Sequence, residues 1–107
     1  MTQFLCTLAE LNEATPKQLR VGDRGIAVVR IGDEIYAIDA LCPHWAGPLG
    51  EGEVSAARRE ITCPWHRFRF SLRDGRCVVA TKRPPVACFP VRVEDGCVFA
   101  AIPAKER

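Results

Sequence analysis

The chain has no apolar run that approaches the roughly 20 residues needed to span a bilayer, so no membrane helix is expected. Its start, Met1-Thr2-Gln3-Phe4-Leu5-Cys6-Thr7, lacks a basic stretch followed by a long apolar core. It does not read as a signal peptide, and a cytoplasmic location is the expectation. Aromatic residues make up only 7% of the chain and no nucleic-acid motif appears, so nucleic acid is not the expected partner. No two cysteines stand in a C-x-x-C pair, and a chain without a signal favours thiols and metal ligands over disulfides. Cys6, Cys77, Cys88 and Cys97 lie in strand-like contexts and read as small buried apolar side chains. No internal repeat or low-complexity segment is present. Histidine is scarce: there are two, His44 and His66.

What is present fits one domain over residues 1–107, large enough for a single core. The 48% hydrophobic and 26% charged composition is that of a globular protein, which excludes intrinsic disorder. Eight Gly and eight Pro predict many turns between short strands. Residues 4–8 alternate as a first strand. Thr15-Pro16 has the cap and first-position chemistry of a short helical turn. Residues 25–31 and 34–39, joined across Gly32-Asp33, predict a hairpin.

Residues 42–53 carry Pro43, Gly47, Pro48, Gly50 and Gly52 and predict a loop. Residues 53–55 and 60–62 read as two strands. After position 66, Arg67, Arg69, Ser71 and Arg73 alternate with Phe68, Phe70 and Leu72, the pattern of a half-buried strand. Asp74-Gly75 turns it into residues 76–79. A proline loop over about 80–85 precedes a last hairpin, 89–94 and 97–102, closed by Asp95-Gly96. The fold class is all-β: about ten short strands in antiparallel sheets, a sandwich or small barrel with two loops at one end.

Charge is uneven. Between Arg58 and Arg83 there are eight basic residues against two acidic ones, while the remainder holds seven basic and eleven acidic. This segment is either a solvated face or a docking patch for an acidic partner.

The chemistry concentrates in Cys42-Pro43-His44 and Cys63-Pro64-Trp65-His66, with eighteen residues between His44 and Cys63. Two thiolates and two imidazoles suffice for a metal centre. A structural zinc site is one reading, but zinc fingers usually group cysteines in one half and histidines in the other, whereas each half here is mixed. A nucleophilic Cys–His pair is another, but it leaves the duplicated pairing unexplained. In a [2Fe–2S] cluster with two histidines on one iron and two cysteines on the other, each loop gives one ligand to each iron. That account uses all four residues.

The two stretches resemble the Rieske motif, C-x-H followed by C-x-x-H. The likeness continues through Gly47-Pro48-Leu49-Gly50-Glu51-Gly52, Phe68 to Gly75, Lys82-Arg83-Pro84-Pro85 and Phe89 to Gly96. Within the family, the chain is most similar to small ferredoxins of bacterial aromatic-ring dioxygenase systems. The resemblance implies the Rieske iron–sulfur fold and one [2Fe–2S] cluster. Cys42, His44, Cys63 and His66 would be its ligands, on loops of about 42–53 and 63–71 that the proline loop covers from a third side.

It also implies a carrier without catalytic residues, because both histidines are spent on the cluster. Electrons would pass from an NAD(P)H-dependent flavin reductase to a terminal ring-hydroxylating oxygenase through the His44/His66 edge, flanked by Trp45 and Trp65, in a monomer that touches neither membrane nor nucleic acid. Alternative settings are the small subunit of an assimilatory nitrite reductase, or a redox-sensing or structural module of a larger complex. High-potential members of the family carry a disulfide between the loops and hydroxyl donors to the cluster. Here Gly47 and Trp65 hold the disulfide positions, and Phe68 and Phe70 the hydroxyl positions. The implied potential is at the low end of the range, on the order of −150 mV. Position 67, often glycine in the family, is arginine.

Overall fold

The run at residues 25–31 is apolar on both sides because it is covered on both sides. In the computed structural model, which describes residues 2–41, 47–65, 67–79 and 84–103, Ile26, Ala27, Val28 and Val29 are all fully buried. Ala27, Val29 and Ile31 enter one core cluster, and Ile26 and Val28 enter a second. A strand with one solvated face would alternate; one buried on both faces need not.

The described strands are β1 (Gln3–Thr7), β2 (Lys17–Val21), β3 (Arg24–Ile31), β4 (Glu34–Asp39), β5 (Glu53–Ser55), β6 (Glu60–Thr62), β7 (Arg69–Ser71), β8 (Cys88–Phe89), β9 (Val91–Glu94) and β10 (Cys97–Ala100). They form three antiparallel sheets with orders β1-β10-β9, β2-β3-β4-β8 and β5-β6-β7. The sheet containing β3 is the middle one. Its first core cluster is shared with Ile61 of β6, Phe70 of β7 and Cys63. Its second is shared with Leu5 and Cys6 of β1 and Val98 and Ala100 of β10. The expected all-β sandwich is therefore present, with a central sheet between two smaller ones.

Three details differ from the sequence reading. Thr15-Pro16 starts no helical turn. The chain there runs into β2, whose residues Lys17 to Val21 pair with Val28 to Arg24 of β3. The ladder and the burial of Leu19 and Val21 against the second cluster outweigh the local cap signal. A short 3-10 turn lies earlier, at Leu8–Glu10, where the Glu10 carboxylate accepts the Thr7 N–H at 2.9 Å. Residues 76–79 form no full strand. Only Cys77 bridges β7, opposite Phe70, with the Val78 N–H donating to Arg69 O at 2.9 Å. Finally, the stretch 89–94 breaks at Pro90. With no N–H to donate, Pro90 ends β8 on β4, and the chain restarts as β9 on β10.

These connections set the ends from which the functional loops leave. Asp39 at the end of β4 donates its N–H to Ala87 O at 2.9 Å, so the exit of β4 lies beside the chain that leads into β8. The Val86 N–H donates to Gly75 O at 2.9 Å, tying the same chain to the turn after β7.

Candidate metal centre

Of the four candidate ligands, Cys63 lies among the described residues; Cys42, His44 and His66 lie outside them, as do Trp45 and residues 80–83 of the proline loop. Cys63 follows β6 and is fully buried, a member of the first core cluster. Its N–H donates to Phe68 O at 2.8 Å, and its carbonyl accepts the Arg67 N–H at 2.9 Å. Cys63 is thus tied to both Arg67 and Phe68 between β6 and β7. The loop geometry requires a left-handed residue at position 67, and Arg67 adopts it with φ 59°. Glycine takes that conformation without cost; arginine does not.

The first loop meets the second at Gly47. A Cβ at this position would stand 3.1 Å from the Cys63 Sγ and 3.3 Å from Cδ2 and Cε3 of Trp65. Gly47 itself is buried. Positions 47 and 65, which a disulfide joins in other members of the resembled family, are therefore neighbours in space. Here the indole lies over the glycine instead. Trp65 is otherwise 60% exposed, so one edge of the ring contacts the loop and much of the rest faces solvent. A cysteine sulfur held inside the protein, against a backbone that has no side chain at the point of contact, is the cradle that a bulky inorganic group needs. The residues present fit a thiolate-bound cluster at Cys63. Among the described residues no group of three or more His, Cys, Asp or Glu side chains gathers into a second metal site.

The start of the first loop is fixed by a residue the sequence reading passed over. The Asp39 carboxylate accepts the Leu41 N–H at 3.0 Å, one residue before Cys42. Its other oxygen receives Arg24, with Nη2 and Nε each at 3.2 Å, and both side chains are mostly buried. Arg24 also lies over the Phe89 ring, 4.9 Å from its centroid. An Asp directly after an apolar strand, followed two residues on by a backbone donor, is a recognisable turn signal. The loop then returns to the same strand end, where the Gly50 N–H donates to Ala40 O at 3.0 Å.

Cys6 and Cys77 are buried, and Cys88 and Cys97 are half-buried. Burial pushes the Cys88 thiol up to about 11, with the Asp74 charge adding to it. Burial, then Glu10, raises Cys6, opposed by Lys17. Such thiols are protonated at neutral pH and unsuited to bind metal or attack. No helix of the described residues is long and apolar enough to cross a membrane.

Comparison with known proteins agrees with this picture. The family model of the Rieske [2Fe-2S] domain matches residues 1–90. The anthranilate 1,2-dioxygenase ferredoxin subunit of Burkholderia cepacia is 37% identical over 92 residues, covering 86% of this chain and 83% of that protein. The ferredoxin of carbazole 1,9a-dioxygenase from Nocardioides aromaticivorans superposes with a TM-score of 0.88 at 33% identity, covering 94% of this chain and 97% of the other. A chain from a complex of reduced oxygenase and oxidized ferredoxin in carbazole 1,9a-dioxygenase has a TM-score of 0.85 at 29% identity, covering 99% of this chain and 97% of the other.

Proposed function

The chain belongs to the Rieske [2Fe-2S] family, and from that premise we propose that it carries single electrons from an NAD(P)H-dependent flavin reductase to a terminal ring-hydroxylating oxygenase. The chain is an electron carrier with one Rieske-type cluster, and its relatives are ferredoxin components of dioxygenase systems. Cys42, His44, Cys63 and His66 hold that cluster in this reading. When bound, the cluster supplies a one-electron acceptor and donor that two neutral imidazoles make easier to reduce than an all-thiolate one.

The observation that carries the proposal is the meeting of Gly47 with Cys63 and Trp65. The protein's own residues divide the work. The fully buried Cys63 keeps water from the sulfur. Asp39 and the bond from Cys63 to Phe68 O set the backbone beside the ligand stretches. The exposed Trp65 marks the surface at which a partner approaches the site. Apolar side chains at positions 68 and 70 offer no hydroxyl to the site, which supports a potential at the low end of the family's range.

The partner assignment draws on the relatives: one comes from a complex of reduced oxygenase and oxidized ferredoxin. The test is a reconstitution of this chain with a flavin reductase, NADH and a terminal oxygenase. Product formation that depends on the chain, with the chain exchanging freely between the two proteins, supports the shuttle. Co-purification with a single large subunit and no free exchange would favour the nitrite-reductase-subunit reading instead.

A further inference from the structure

The outer face of the β5-β6-β7 sheet is polarised. Val54, Ile61, Phe70 and Cys77 are cross-strand neighbours whose side chains turn inward, and the last three are fully buried. The alternate rows therefore face solvent: Glu53, Thr62 and Arg69 in one row, with Val78 beside Arg69, and Ser55, Glu60 and Ser71 in the next, with Arg76 beside Ser71. Both acidic residues of the basic segment are already occupied. Glu60 pairs with Arg69 at 3.2 Å, and the Asp74 carboxylate accepts the Arg76 N–H at 2.9 Å. Arg58, Arg67, Arg73 and Arg76 form no ion pair among the described residues. Carboxylates stand at the β5 edge of the face, where Glu51 and Glu53 line a cleft of about 180 Å³ together with Thr62, Pro64 and Arg67.

Of these four arginines only Arg67 has a positive φ, as ion-paired Arg59 also does in the same segment. Holding a non-glycine residue in the left-handed region costs on the order of 1 kcal/mol, and such strain is retained where the side chain has a use. The Arg67 backbone is fixed to Cys63 O, and its side chain is exposed. Trp65 (60% exposed) on the same loop, and Val79 (51%) and Val78 (37%) in the segment after the β7 turn, where Val78 bonds to Arg69, supply apolar surface. Tryptophan and arginine together are the residue types that dominate binding energy at protein interfaces.

We infer that this surface, centred on Arg67 and Trp65 and extending to Arg76, is a docking face for an acidic patch on a protein redox partner. The partner's carboxylates meet the arginines on the β7 side, and its apolar surface covers Trp65, Val78 and Val79. The inference rests on the electron-carrier reading above. The carboxylates of Glu51 and Glu53 set the orientation, because a partner docked the other way round would bring like charges together.

Small redox ions test the face without a partner. The chemically reduced protein is oxidised in stopped flow by hexacyanoferrate(III), an anion that takes up one electron, and by a tripositive cobalt(III) phenanthroline complex, which does the same. Arg67→Glu and Arg76→Glu each slow the anion several-fold, up to about tenfold at low salt, and speed the cation. The differences fade above about 0.1 M salt as the charges are screened. Arg67→Gly also slows the anion but raises the thermal midpoint, a split that a purely structural role would not give. Poly-glutamate, standing in for an acidic protein surface, protects the wild type against the anion and protects neither Glu variant. Arg92→Glu, the same charge change on β9, leaves the rates unchanged. Unaltered rates in both Arg67→Glu and Arg76→Glu with an intact cluster spectrum would overturn the docking face. So would equal slowing by Arg92→Glu, since the effect would then be one of net charge. Absence of a histidine-ligated cluster signal in the wild type would overturn the carrier reading itself.

Discussion

Gly47 and the sulfur of Cys63 are so placed that a single added carbon would stand 3.1 Å from the sulfur. The two loops approach this closely because one of them has no side chain at the point of contact. Space for the sulfur and the indole is what the position requires.

Gly47→Ala is accordingly expected to fold but to hold its cluster poorly. The added methyl pushes either on the sulfur or on the Trp65 ring, and overpacking of this kind costs about 1–3 kcal/mol. Iron content per chain and the visible absorption after anaerobic reconstitution should fall, while the far-UV circular dichroism stays that of the wild type. Full iron occupancy in the alanine variant would show that the contact is slack.

Asp39→Ala removes the acceptor of both Arg24 and the Leu41 N–H. The mostly buried Arg24 is left without its carboxylate, and a lost partner of this kind costs about 1–3 kcal/mol. The first loop also loses its starting turn. Cluster release into a chelator should quicken more than global unfolding does. Equal acceleration of both would place Asp39 in the scaffold alone.

Gly75 sits at φ 79°, where a Cβ would come within 2.0 Å of the Val86 carbonyl oxygen. Gly75→Ala therefore combines backbone strain with a clash that no rotamer change relieves. A loss of about 2–4 kcal/mol is expected. In a domain of this size that corresponds to a fall in thermal midpoint of roughly 10–20 °C. A midpoint within 3 °C of the wild type (about 0.5 kcal/mol) would contradict the tie between the β7 turn and the chain leading to β8.

Much of this was legible in the sequence, for reasons that can be located. The hairpin of β3 and β4 carries its turn residues at Gly32-Asp33, and the ligand stretches carry a spacing that few other chemistries explain. β5, β6 and the Asp95-Gly96 hairpin follow from local pattern alone. The missed elements depend on partners far away in sequence. The alternation of Lys17 to Val21 is too short to outvote Thr15-Pro16 until β3 is beside it. Pro90 divides a continuous apolar run because the two halves pair with different sheets. Arg67 was visible as a departure from glycine, but the left-handed backbone it occupies is set by the ties of Cys63 to Arg67 and Phe68. The part played by Asp39 required the position of Arg24, fifteen residues earlier.

Acid sensitivity has two identifiable sources: hydrogen bonds from Thr7 lower the Glu10 carboxyl, and Glu34 is depressed further. Hydrogen bonds from Arg59, then from Tyr36, hold the Glu34 carboxyl down from 4.5 to about 2. A group depressed in the folded state stabilises it above its unfolded value and loses that contribution as pH falls through the folded one. The Glu34 contribution is therefore complete above about pH 4.5 and is lost between there and about pH 2. A carboxyl-detected NMR titration should place the Glu34 midpoint near 2 and show a smaller depression, that left by Tyr36, after Arg59→Ala. A wild-type midpoint near 4.5 would show that the bridge between β4 and the turn before β6 does not persist in solution.

The central claim is that one cluster is held by two cysteines and two histidines. Its most direct test is electron spin-echo spectroscopy of the reduced protein, with iron and acid-labile sulfide measured on the same sample. The account predicts two iron and two sulfide per chain, together with nitrogen couplings from two imidazoles on one iron. His44→Ala and His66→Ala should each abolish that signal. Bound zinc, a spectrum without nitrogen coupling, or an unchanged signal in either alanine variant would contradict it.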